Sequence, residues 1–142
     1  MTRYLLDTNV VSELRRSRPS PTVVAWFDGL GSAELLLSVL TIGELRAGVE
    51  RLARRDPVQA AQIDAWVEDL VATYSGAILP VDAAVARQWG LLSAVRPLPV
   101  VDALLAATAL VSGAVLVTRN TRDLAGLGVP MIDPFADPTV AG

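Results

Sequence analysis

The most apolar stretch of the 142-residue chain runs Leu98-Pro99-Val100-Val101-Asp102-Ala103-Leu104-Leu105-Ala106-Ala107-Thr108-Ala109-Leu110-Val111-Ser112-Gly113-Ala114-Val115-Leu116-Val117. A membrane-spanning helix wants about 20 mostly apolar residues, and this run is interrupted by Asp102, Thr108, Ser112 and Gly113. It reads instead as a helix over residues 100–111, apolar on every side and therefore central, closed by Gly113 and followed at once by a strand over 114–118. A buried helix leading directly into a buried strand is the building unit of an α/β protein, whose parallel sheet is covered on both faces.

The same alternation continues on either side. Strands are expected over residues 4–6, 35–39, 77–81 and 129–132, each an apolar run too short for an independent helix. Helices are expected over 10–15, 22–30, 41–55, from 57 to near Ser75-Gly76, and over 83–93, with one further helical turn at 121–124. Asp56-Pro57 supplies a cap followed by proline at the first helical position. Arg54 and Arg55 lie where the preceding helix dipole favours positive charge, Asp82 reads as a structural N-cap, and Pro97-Leu98-Pro99 breaks the helix before it. The expected architecture is one α/β domain over residues 1–142, with a central parallel sheet of about five strands and helices on both faces.

Composition narrows the chemistry. There is no His, no Cys and no Lys; the twelve basic residues are all Arg, against fifteen acids and a net charge of −3. Without Lys a P-loop is excluded. Lack of Cys removes disulfides, thiolate nucleophiles and Cys-rich zinc sites, and lack of His removes the usual general base. Carboxylates must carry whatever catalysis the chain performs. The acidic balance argues against a basic nucleic-acid coat but not against a nuclease, because acids that hold a divalent cation make the formal charge misleading near the site. Mean hydropathy is high at +0.45, yet no run is long enough to span a membrane, and the first strand begins without a charged-then-apolar leader, which points to the cytoplasm.

Four stretches place an acid where a strand of such a sheet gives way to a helix: Leu5-Leu6-Asp7-Thr8-Asn9, Thr41-Ile42-Gly43-Glu44-Leu45, Pro99-Val100-Val101-Asp102-Ala103 and Thr118-Arg119-Asn120-Thr121-Arg122-Asp123. In parallel α/β sheets, ligands bind beyond the carboxyl ends of the strands, so these acids can converge. Each also has a local explanation. Asp7 suits a turn aspartate bonding nearby amides, Glu44 the third helical position of a capping box begun by Thr41, Asp102 the positive end of a helix dipole, and Asn120 with Asp123 the cap of a single turn. Four local explanations do not account for the repetition. Carboxylates about 4 Å apart repel by about 4 kcal/mol per pair at an effective dielectric of 20, so a cluster calls for a cation. Oxygen ligands alone select a hard ion, Mg²⁺ or Mn²⁺.

Taken in order, these motifs resemble the PIN-domain ribonucleases, and among them the VapC-type toxins of bacterial toxin–antitoxin pairs. The match runs from Tyr4 to Phe135 and rests on Leu5-Leu6-Asp7-Thr8-Asn9-Val10-Val11-Ser12-Glu13-Leu14, Thr41-Ile42-Gly43-Glu44-Leu45-Arg46-Ala47-Gly48, the segment from Pro99 to Ala109 and the segment from Leu116 to Asp123. The resemblance implies a PIN-like fold and a metal-dependent endoribonuclease. It implies Asp7 and Asp102 as the principal Mg²⁺ ligands, with Glu44 completing the acidic pocket. Many members of the family carry an acid where this chain has Asn120, so the fourth position falls to Asn120 or to Asp123, with Asn9 and Thr118 in support. It further implies an RNA substrate, a cognate antitoxin protein and a homodimer. Arg15, Arg16 and Arg18 follow the first motif near the expected mouth of the site, where Arg suits phosphate contacts.

Three rivals are weaker. A receiver-like signalling domain calls for a Lys that is absent, and a haloacid-dehalogenase-like phosphatase for a second Asp where this chain has Asn9. A degenerate PIN domain that only binds RNA or a protein partner is disfavoured by the full acid set.

Overall fold

The computed structural model describes residues 1–136. The elements are β1 (Arg3–Leu6), α1 (Thr8–Arg15), α2 (Pro21–Asp28), β2 (Glu34–Ser38), α3 (Val39–Ala53), α4 (Pro57–Thr73), β3 (Ile78–Leu79), α5 (Ala83–Ser93), α6 (Val100–Ser112), β4 (Val115–Val117) and β5 (Met131–Ile132). The five strands form one sheet in the order β3-β2-β1-β4-β5, and every pairing is parallel. Among the described residues no helix is long and apolar enough to cross a membrane.

Strand alternation separates the two faces. Leu5 stands in register with Leu36 and Leu116, and all three pack with Val85, Leu92, Leu105 and Ala106 of α5 and α6. The next residues along, Leu6, Leu37 and Val117, point the other way into a second cluster with Val10, Leu45, Val49 and Val67 of α1, α3 and α4. Arg46 on α3 reinforces that side by pairing with Asp64 and Glu68 on α4. The small residues Ala103, Ala106, Ala107 and Ala109 of α6 are all fully buried, which allows this helix to lie close against the sheet.

Several boundaries differ from expectation for identifiable reasons. Helix α3 begins at Val39 rather than Thr41, because buried Ser38 ends β2 and its Oγ accepts from the Leu40 N–H at 3.0 Å. Helix α1 begins at Thr8 rather than residue 10, capped by Asp7. Strand β3 is cut to two residues by Pro80, which has no N–H for the ladder. Residues 121–126 form turns rather than a helix, with the Ala125 N–H donating to the Arg122 carbonyl at 3.3 Å. Gly126 and Gly128 follow at φ values of 80° and 75°, and Arg96 pins the segment by donating from Nη2 to the carbonyls of Asp123 and Ala125, each at 2.8 Å.

Because the order reverses between β1 and β4, their carboxyl ends form the switch point at which a sheet of this kind opens a crevice. Leu5 is central to the sheet and fully buried, so Leu5→Ala should lower unfolding free energy by about 2–5 kcal/mol. Val58→Ala, at an exposed position, should change it by less than about 0.5 kcal/mol. Urea unfolding midpoints measure both, and equal effects would contradict this placement of the core.

Candidate active site

Asp7 sits directly beyond β1 at the switch point, and its backbone N–H donates to the Val117 carbonyl of β4 at 3.0 Å. Its carboxylate is 3% exposed and each oxygen has its own task. Oδ1 caps α1, accepting from the N–H groups of Asn9 at 2.7 Å and Val10 at 3.3 Å. Oδ2 accepts from the buried Thr118 hydroxyl at the end of β4, at 2.6 Å. The local cap and the site residue are thus one group.

From Thr118 the network continues across the crevice. The Asn120 N–H donates to Thr118 Oγ1 at 3.0 Å, and Asn120 Nδ2 donates to Asp102 Oδ2 at 2.6 Å. Asp102 lies in the first turn of α6, whose N-cap is Pro99 and offers no side-chain bond. Glu44 approaches from α3. With α3 starting at Val39, Glu44 falls beyond the first turn, so it is not the capping-box residue that Thr41 would define. Its Oε1 instead accepts from the Thr8 hydroxyl at 2.6 Å, which itself lies 3.3 Å from the Thr41 hydroxyl.

Asp7, Glu44 and Asp102 line one cleft of about 90 Å³ together with Thr8, Asn9 and Leu105. Asp123 does not line it. Asp123 is exposed on the turns that follow β4, with its backbone carbonyl accepting from Arg96, so the expected fourth acid is not among the residues that line this cleft. Asn120 holds Asp102 rather than Asp123. Thr8 and Thr41 escaped the sequence reading. Thr8 was legible only as the residue after Asp7, because its partner Glu44 is 36 positions away.

Arg15 and Arg16 line a separate, larger cavity, and Arg18 lines neither it nor the cleft.

Among the described residues no three acidic side chains close on one point as a complete ligand set. The donor chemistry nevertheless fits a hard cation. Every polar group of the cleft is an oxygen or an amide, and among the described residues Glu44 Oε2 and Asp102 Oδ1 accept no hydrogen bond. Burial pushes the Asp7 carboxyl above its ordinary pKa and the negative charge of Asp102 adds to the rise, against the opposing bonds from Thr118, Asn9 and Val10. An ionised Asp7 therefore lacks compensation that a cation would provide.

An acidic cleft at the switch point of a parallel sheet, built from a strand end and two helices, defines an α/β class of protein with an all-oxygen site. The chain belongs to the PIN domain family, which matches over residues 4–128. It is similar to toxin FitB of Neisseria gonorrhoeae, at 31% identity over 94% of this chain and 99% of the relative. It is also similar to VapC ribonuclease Y4jK of Sinorhizobium fredii, at 30% identity over 92% and 96% respectively. The crystal structure of FitAcB from Neisseria gonorrhoeae superposes with a TM-score of 0.83 at 30% identity, covering 94% of this chain and 99% of that one.

The raised pKa of Asp7 has a consequence for stability. Because the folded protein binds that proton more tightly than the unfolded chain, stability falls as pH rises from the ordinary value of 3.8 through the folded-state pKa. At neutral pH the carboxylate is a net cost. Asp7→Asn keeps a cap acceptor without the charge, so it should melt a few degrees above the wild type at pH 7, with the gap closing toward pH 4. Mg²⁺ should raise the wild type preferentially. Thermal melts across that pH range measure this; a variant less stable at pH 7 by a margin independent of pH would contradict the assignment.

Proposed function

We propose that the chain is a metal-dependent endoribonuclease acting as the toxin of a toxin–antitoxin pair. The observation that carries this reading is the convergence of Asp7, Glu44 and Asp102, from three separate elements, on one cleft at the switch point. The relatives named as a toxin and as a VapC ribonuclease support it.

Asp7 and Asp102, with Glu44 beside them, would hold Mg²⁺, for which Mn²⁺ can substitute. Such an ion, when bound, polarises a phosphate and acidifies a nearby water. The chain's own residues then have distinct tasks. Thr8 occupies one oxygen of Glu44 and leaves the other to accept a proton from an attacking water, a role that falls to a carboxylate in a chain without His. Asn120 holds one oxygen of Asp102 and so fixes the direction of the other. Thr118 ties Asp7 to the same strand end. The cleft is small, and it suits a phosphate group and its surroundings rather than a whole nucleotide.

Cleavage of total RNA by the purified protein tests the reading. Activity should require Mg²⁺ or Mn²⁺, vanish in EDTA, and drop by at least about 100-fold in Asp7→Asn and in Asp102→Asn, the scale of losing one electrostatic stabiliser. Asp123→Asn should retain most activity. Folded, antitoxin-free protein that cuts no RNA would support a domain that only binds RNA or a partner.

A toxin of this class implies a cognate antitoxin protein as partner, and a second copy of this chain is proposed beside it. Leu91, Val95 and Val100 are 55%, 65% and 59% exposed, an apolar surface near the junction of α5 and α6 that suits self-association. Sedimentation should show a dimer that Leu91→Asp weakens; an unaltered dimer would place the contact elsewhere.

A further inference from the structure

Beside the acidic cleft lies a cavity of about 390 Å³, whose walls include Asn9, Ser12 and Glu13 of α1 together with Arg119 and Phe135 from beyond β4 and β5. Asn9 lines the acidic cleft as well, so the two spaces meet at that side chain. The size difference is informative. About 90 Å³ accommodates little more than the reacting group, whereas about 390 Å³ falls within the roughly 300–1,000 Å³ of pockets that enclose small organic ligands.

The lining is cationic and partly aromatic. Asn9, Ser12, Glu13 and Arg16 follow one another at helical spacing along one stripe of α1 and its C-cap, and from the first to the last the helix advances about 10 Å. Arg16 is paired with Glu13 at 3.4 Å. Arg15 and Arg119 have no carboxylate within ion-pair distance among the described residues. Arg119 lies over the Phe135 ring, 4.5 Å from its centroid, and Phe135 is itself seated against the α1 side of the core. A chain with net charge −3 thus concentrates three guanidiniums around one hollow that adjoins its acidic cleft.

From this geometry we infer that the cavity is a subsite for a nucleotide flanking the scissile phosphate. Arg119 and Phe135 provide the surface on which its base stacks, and Arg15 contacts its phosphate. The inference rests on the nuclease reading and extends it to substrate recognition. Single-stranded RNA is bound by stacking of unpaired bases on aromatic rings and guanidinium planes, with arginines tracking the backbone. An acidic peptide would use the arginines but has no need of the aromatic surface or of a passage to the cleft.

The test uses the full chain carrying Asp102→Asn, so that RNA binds without being cut, and a fluorescein-labelled single-stranded RNA of mixed sequence. Anisotropy titrations compare this parent with Arg15→Gln, Arg119→Gln and Phe135→Leu, and with Arg87→Gln, which makes the same charge change on the opposite face of the sheet. Arg119→Gln and Phe135→Leu should each weaken binding roughly tenfold. The salt dependence should fall by about 0.7 for Arg15→Gln, which removes a phosphate contact, and stay unchanged for Phe135→Leu. Arg87→Gln should bind as the parent does. With Asp102 restored, Arg119→Gln and Phe135→Leu should raise KM more than they lower kcat and should broaden the cleavage sites found by sequencing the RNA ends.

RNA affinities within twofold of the parent for both Arg119→Gln and Phe135→Leu would overturn the subsite. The same result joined to weakened binding of a poly-glutamate peptide would overturn it in favour of an acidic protein segment. The binding arm is independent of cleavage. Wild type that cuts nothing would sink the nuclease reading, while selective loss of RNA affinity in the variants would still support the subsite.

Discussion

The Asp7 carboxylate joins three elements through two oxygens. Oδ1 caps α1 and Oδ2 receives the Thr118 hydroxyl, while the backbone N–H of the same residue extends the β1–β4 pairing. A buried carboxylate of this kind is costly unless satisfied, and here each bond that satisfies it also sets geometry. The start of α1 and the end of β4 cannot move apart without stranding a charge. The remainder of the acidic cleft is referred to that point, through Thr118 and Asn120 to Asp102, and through Thr8 to Glu44.

This arrangement trades stability for a site. Hydrogen bonds hold Asp7 in place, yet desolvation and Asp102 still raise its pKa, so the neutral-pH fold retains an electrostatic cost. Such residual cost is typical where charged groups are collected for a task. It also rationalises the core around the site. The sheet is fully sandwiched, with Leu5 and Leu6 on opposite faces, and the alanines of α6 let that helix approach closely enough to bring Asp102 to the crevice. Hydrophobic burial on both faces offsets an acidic edge.

How far these features were legible depended on their range in sequence. Strand and helix types followed from apolar runs, caps and prolines, since these are local. Boundaries shifted where a side chain took a role that its neighbours do not announce. Ser38 capped α3 three residues before Thr41 would have, which changed Glu44 from a capping partner into a wall of the cleft. Asp7 and Asp102 stood out as acids at strand-to-helix junctions. Asp123 stood out equally but belongs to a loop held by Arg96, and nothing near residue 123 signals that a residue 27 positions earlier directs that segment. Arg119 and Phe135 were unmarked for the same reason: their stacking joins the ends of two different strands.

The sequence by itself determined the α/β alternation, the two buried faces and the restriction of any catalysis to carboxylates, because periodicity, capping and the absence of His, Cys and Lys are properties of short windows and of composition. Only the tertiary structure decided which acids share the cleft, that Asn120 rather than Asp123 attends Asp102, and that an arginine-lined cavity adjoins them. Those outcomes depend on the strand order β3-β2-β1-β4-β5, which is set by long-range packing of parallel strands and brings together side chains more than 100 positions apart, such as Asp7 and Thr118.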